Sequence, residues 1–211
     1  MSDFLKYTFR FILFILLQVY LLNKVPHLHR YIVPVIYYLP LLWLPFTVSR
    51  LGLLFIGFAV GICLDYYMMT PGLHAAACVL IMYVRPFLIN ILTPKENAEF
   101  TYKEPSPLAM QWTPFAVYVF VLTLLHHGYV LFLEWLSFGS FVDFIVKVVT
   151  TTAISLLLTF TVELLFPRRL RFRTNTPKII FKKFYLVSAS FKSYIANIIF
   201  FILALSTTLP I

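Results

Sequence analysis

The residues whose types could do chemistry inside apolar stretches are Asp65, His74, Arg85 and the adjacent pair His126 and His127. The histidine pair is the most metal-like feature. Neighbouring residues on a helix project about 100° apart, so the two rings cannot both face one ion, and no carboxylate or cysteine follows at ligand spacing. The expectation is that one or both rings face another helix and that no metal or other cofactor is held. Serine, histidine and aspartate occur in no nucleophile-elbow setting, and no glycine-rich phosphate loop is present, so no enzyme activity is expected. Asp65 lies in Gly61-Ile-Cys-Leu-Asp65-Tyr-Tyr, bordered by apolar and aromatic side chains, and a carboxylate there needs a partner. Arg85 suits it by type but lies at another depth, whereas His74 and the backbone amides of the Pro71-Gly72 turn lie closer. Asp65 then reads either as a polar lock or contact point for another membrane protein, or as an interfacial carboxylate solvated by headgroups and water. Arg85, followed by Pro86, is expected to snorkel to the cytoplasmic surface as an anchor rather than to act as a buried ligand.

The elements that would position these residues follow from composition. Of 211 residues, 61% are hydrophobic, 18% aromatic and only 12% charged, with a mean hydropathy of +0.90. Such a chain cannot cover its apolar surface in water, which excludes a soluble globule, a disordered chain and a nucleic-acid module. The net charge of +9 comes largely from residues between Arg168 and Lys183. Arg168, Arg169, Arg171 and Arg173 are therefore read as contacts to anionic lipid. Cys63 and Cys78 sit in apolar runs and give no disulfide framework. The first apolar run has no small-x-small cleavage site and is expected to remain as a span.

A hydrocarbon core of about 30 Å takes roughly 20 apolar residues per helix. The chain divides accordingly into six expected spans, near residues 9–25, 31–48, 51–69, 73–92, 113–133 and 144–166. They form a single transmembrane helical domain over 1–170, in a 4 + 2 arrangement split by the polar loop 93–111. A basic segment and an apolar C-terminal helix, spanning or interfacial, occupy 171–211. The second span carries Pro34, Pro40 and Pro45 and must be kinked or partly re-entrant, with neighbouring helices satisfying its freed carbonyls. Lysine and arginine in the loops orient the N terminus to the cytoplasm and the Thr70-Pro71-Gly72 turn to the outside. Gly57 and Gly61 form a GxxxG pair, and Ala75 and Ala76 open the next span, so close packing between the third and fourth spans is expected.

The run Gly61-Ile-Cys-Leu-Asp65, then Thr70-Pro71-Gly72-Leu-His74-Ala-Ala-Ala77 and Tyr83-Val-Arg85-Pro86, resembles MreD, the family of rod shape-determining membrane proteins, in its Bacteroidetes-type form. Phe11-Ile-Leu-Phe-Ile-Leu-Leu-Gln18-Val, with Asn23 shortly after, adds to the likeness, which extends over roughly residues 4–170. The resemblance implies a noncatalytic scaffold in the bacterial inner membrane. It would bind MreC and, indirectly, MreB filaments, the RodA glycosyltransferase and a class B penicillin-binding protein. Asp65, Pro71, Gly72, His74 and Arg85 are then the candidates for a partner interface or a structural lock. The tail beyond about Thr174 departs from the family, whose members generally stop soon after the sixth span. The family is also similar in fold to the S components of energy-coupling-factor vitamin transporters, which makes a substrate-binding subunit the alternative. Those proteins dock through small residues on their first helix, and residues 9–20 here contain no glycine, alanine or serine.

Overall fold

The computed structural model of the protein describes residues 3–24, 34–93, 104–136 and 140–165. Arg168, Arg169, Arg171, Arg173 and the C-terminal segment 171–211 lie outside the described residues. Helix α1, Asp3–Leu16, continues as a π turn at Leu17–Leu21 and a 3-10 turn at Leu22–Lys24. A single helical turn, α2, spans Leu39–Leu42. There follow α3 (Arg50–Met68), α4 (Leu73–Leu92), the short α5 (Pro107–Met110), α6 (Trp112–Trp135) and α7 (Phe141–Leu165). Among the described residues α3, α4, α6 and α7 are long and apolar enough to cross a membrane. The regular structure of the described residues is thus all-helical, consistent with a multi-pass membrane protein.

Two of the six expected spans take other forms. The first is helical through Lys24 but changes pitch at Leu17, and that π turn rotates Gln18 into the interior, where it is buried. The second is not a continuous helix over its described part. Proline at 34, 40 and 45 leaves room for only one turn, because each ring lacks an N–H and crowds the preceding carbonyl. Residues Ile36 to Leu44 are buried throughout, so this irregular strip runs through the core of the bundle. Buried irregular backbone at membrane depth is tolerated only where protein groups satisfy it.

Helix α3 starts at Ser49, whose hydroxyl accepts from the Gly52 amide at 3.1 Å, and ends at Met69, which takes the left-handed conformation. It buries Leu53, Gly57, Val60, Gly61 and Leu64, a stripe at helical spacing, and exposes Leu51, Phe55, Phe58 and Ile62. Exposed residues that are also apolar suit a helix facing lipid on one side and protein on the other. The buried stripe lies against α4. A Cβ at Gly61 would stand 2.6 Å from the Ala75 nitrogen and 2.8 Å from the His74 carbonyl oxygen, so only glycine allows the two backbones to come this close. At Gly57 the neighbours would be the Met82 side chain at 2.8 Å and the Cys78 carbonyl at 3.0 Å. Ala75 is buried and Ala76 half-buried on the facing helix.

Glu104 ties the segment before α5 back to α1. It accepts from the Tyr7 hydroxyl at 2.7 Å and from Arg10 at 3.2 Å. Arg10 also lies over the Trp43 ring, which packs edge-on against Phe14.

Candidate functional site

Among the described residues, groups of buried polar side chains lie at the α3–α4 turn and along the strip 34–44. The first is at the α3–α4 turn. Gly72, with φ of +84°, caps α4 without a side chain, so the first amides of that helix need acceptors from elsewhere. Asp65, from the last turns of α3, supplies them: one carboxylate oxygen accepts from the His74 amide at 2.9 Å, the other from the Ala75 amide at 2.9 Å. Negative charge at a helix N terminus also opposes the positive end of the helix dipole. The Thr70 hydroxyl donates to Asp65 at 3.0 Å, and His74 Nδ1 lies 2.9 Å from the same oxygen. A carboxylate oxygen only accepts, so this geometry fits the His74 tautomer with its hydrogen on Nδ1. Asp65 is thus a clasp that fixes the turn from inside. Pro71 and Gly72 lie on the exposed outside of the same turn.

Removing the clasp has a readable consequence. Asp65→Ala leaves two helix amides and the Thr70 hydroxyl without their acceptor, which is expected to cost about 2 kcal/mol. Hydrogen exchange at the His74 and Ala75 amides should accelerate in the variant while exchange in α6 is unchanged. Equal protection in both proteins would exclude the clasp.

The second group is centred on Arg85. Its side chain is 1% exposed, which corrects the expectation that it snorkels to a membrane surface. Its Nη2 donates to the Leu44 carbonyl and its Nε to the Tyr118 hydroxyl at 3.0 Å, while Tyr118 donates to the Leu42 carbonyl at 2.9 Å. The guanidinium and the phenol together satisfy the carbonyls at the end of α2 that its early termination leaves open. Arg85 therefore bonds to the strip and not to Asp65, which has its own partners.

The other end of the strip is held in the same way. Gln18 Oε1 accepts from the Ile36 amide at 2.9 Å, and its Nε2 donates to the Pro34 carbonyl at 3.1 Å and to Asn23 at 3.0 Å. The Val35 amide donates to the Ser155 hydroxyl at 3.2 Å. Between these ends, Tyr38 bonds to Thr123 at 3.1 Å and lies 3.5 Å from Thr159. Tyr37 meets His126 Nε2 at 2.7 Å, and its ring also packs edge-on against His74. His126 stacks on Tyr38 and approaches His127 through their Nδ1 atoms at 3.3 Å. Both histidines are buried and face the strip, and no group of three or more His, Cys, Asp or Glu among the described residues could hold a metal ion.

Sequence reasoning did not single out Tyr37, Tyr38, Tyr118, Thr123, Ser155 or Thr159. A signal existed on α7, where Thr152, Ser155, Thr159 and Glu163 recur at helical spacing and are all buried. The tyrosines gave none, because a tyrosine in a membrane protein serves equally at an interface or in a core. No family model, curated protein or solved structure matches the chain.

Proposed function

We propose that the protein is a noncatalytic scaffold subunit of the MreD type, which supports cell shape and lateral peptidoglycan synthesis by binding MreC and, through it, the wall-synthesis enzymes. The observation that carries this reading is the use of the residues on which the resemblance rests. Gln18 and Asn23, then Asp65, Thr70 and His74, and finally Arg85 bond to backbone or to one another and tie separate segments into one body. A binding platform needs that rigidity, since a preorganised surface avoids the entropic cost of ordering on association. The apolar outer faces of α3 and α4, with Phe55, Phe58 and Ile62 on one and Tyr83, Phe87 and Ile91 on the other, offer a surface in the plane of the membrane for partner helices. In this reading the membrane is the bacterial inner membrane, the N terminus is cytoplasmic, and Arg168, Arg169, Arg171 and Arg173 meet anionic lipid on that side.

Affinity purification of a tagged copy from gently solubilised membranes, with mass spectrometry of the co-purifying proteins, tests the proposal. MreC together with the RodA glycosyltransferase and a class B penicillin-binding protein is the expected recovery. ABC-type ATPases with a coupling membrane subunit would overturn it in favour of a transporter S component.

A further inference from the structure

Helix α4 has 20 residues, which at about 1.5 Å each match the thickness of a hydrocarbon core. Tyr83 lies ten residues after Leu73 and nine before Leu92, at mid-depth, and is 63% exposed on the side away from the bundle. Among the described residues, it is the one polar side chain of the exposed residues that lie more than six positions from both ends of α3, α4, α6 or α7. Its hydroxyl bonds to no described residue, hydrocarbon offers it no partner, and at mid-depth the ring is too far from either headgroup layer to snorkel. Asn90, seven positions further along the same face, is also exposed and has no hydrogen-bond partner among the described residues.

The face has the spacing of a helix–helix seam. Ala76, Leu80, Tyr83, Phe87 and Asn90 recur at intervals of four, three, four and three, the heptad pattern that keeps one stripe of a helix against a partner. The first two are half-buried and the other three exposed. On the inner side of the same helix His74, Cys78, Ile81 and Arg85 repeat that spacing and are buried, where α4 packs on α3 and α6. The outer stripe is built like the inner one but has no described element against it.

We propose that this face joins two copies of the chain, α4 against α4, about a two-fold axis along the membrane normal. Copies inserted with the same topology run parallel and hold each residue at one depth, so every seam residue meets its own counterpart. A hydroxyl and a carboxamide each donate and accept, so Tyr83 pairs with Tyr83 of the second copy and Asn90 with Asn90. A foreign helix would have to bring polar groups at both depths, whereas a second copy has them there already. The outer face of α3 carries only apolar residues at mid-depth and stays available to partners of another kind, so the contact does not rest on the scaffold reading.

The test uses the full chain in lipid bilayers with Cys63→Ala, which removes the exposed native thiol and leaves only the buried Cys78. A short thiol cross-linker is expected to give dimers with Leu80→Cys, Phe87→Cys and Asn90→Cys, and none with Phe55→Cys on α3 or Leu157→Cys on α7, which are exposed on other faces. Energy transfer between labelled copies, followed as lipid dilutes them, measures the association. Tyr83→Phe removes one exposed oxygen and is expected to weaken association about three- to tenfold, the range of interhelical hydrogen bonds in membranes. Monomers at every dilution, cross-links confined to α3 or α7, or association unchanged in Tyr83→Phe each overturn the proposal. So does a photoreactive group at position 87 that, in native membranes, captures a different protein and not a second copy, because the seam then belongs to a foreign helix.

Discussion

Gly61→Ala is expected to lower stability by about 3 kcal/mol, the upper end of the range for overpacking, although it adds a single methyl group. The new Cβ would stand 2.6 Å from the Ala75 nitrogen and 2.8 Å from the His74 carbonyl oxygen. Neither is a side chain that can swing aside, so α3 and α4 would have to separate. Separation would also pull Asp65 away from the His74 and Ala75 amides, adding the loss of the clasp to the loss of packing. Gly57→Ala should be milder, about 1–2 kcal/mol, because its nearest neighbour is a side-chain atom, Met82 Cγ at 2.8 Å, and the backbone it meets, the Cys78 carbonyl, stands off at 3.0 Å. Gly128→Ala, with open space around the new methyl, should be neutral or gain up to about 1 kcal/mol from helix propensity. Thermal unfolding in a mild detergent, with recovery of folded protein by size exclusion, ranks the three variants. Equal stability of Gly61→Ala and Gly128→Ala would refute the close approach of the two helices.

Arg85→Met should cost about 3 kcal/mol, since charge-assisted hydrogen bonds are worth roughly 1.5–3 kcal/mol and a buried carbonyl is left without a donor. The damage should be local to the strip. The Leu44 carbonyl loses its donor directly, and the Tyr118 hydroxyl loses the group that orients it towards the Leu42 carbonyl. Amides of Leu39, Leu41 and Leu44, which bond within the strip, should therefore exchange faster while those of α3 keep their protection. Arg85→Lys should rescue little, because a single ammonium does not reproduce the planar fork that addresses a carbonyl and a phenol together. Unchanged exchange in the strip of Arg85→Met would show that other groups hold it.

Much of this architecture is legible in the residues. Apolar runs between charges and Pro-Gly turns located α3, α4, α6 and α7 to within a few residues, because span length is dictated by bilayer thickness. The three prolines of the second run foretold broken helix, and the glycine and alanine pairs foretold the α3–α4 contact. Asp65 was legible as a residue in need of a partner, and the nearer depth of His74 and the turn amides pointed to the groups it meets. The fate of Arg85 was not legible. Snorkelling and burial differ only in which neighbours approach the side chain, and its acceptors come from Leu44 and Tyr118, each more than 30 positions away in the chain.

Composition and periodicity by themselves determined that the chain belongs in a bilayer, where its long helices lie, and which of them pack on small residues. These are properties of local hydrophobicity and side-chain volume, which act within one helix or one turn. Only the tertiary structure decided that residues 36–44 run buried through the middle of the bundle, with Gln18 and Ser155 holding one end and Arg85 and Tyr118 the other. The physical reason is that a broken helix leaves backbone groups that must be satisfied without water, and the side chains that do so are chosen by spatial approach rather than by position along the chain.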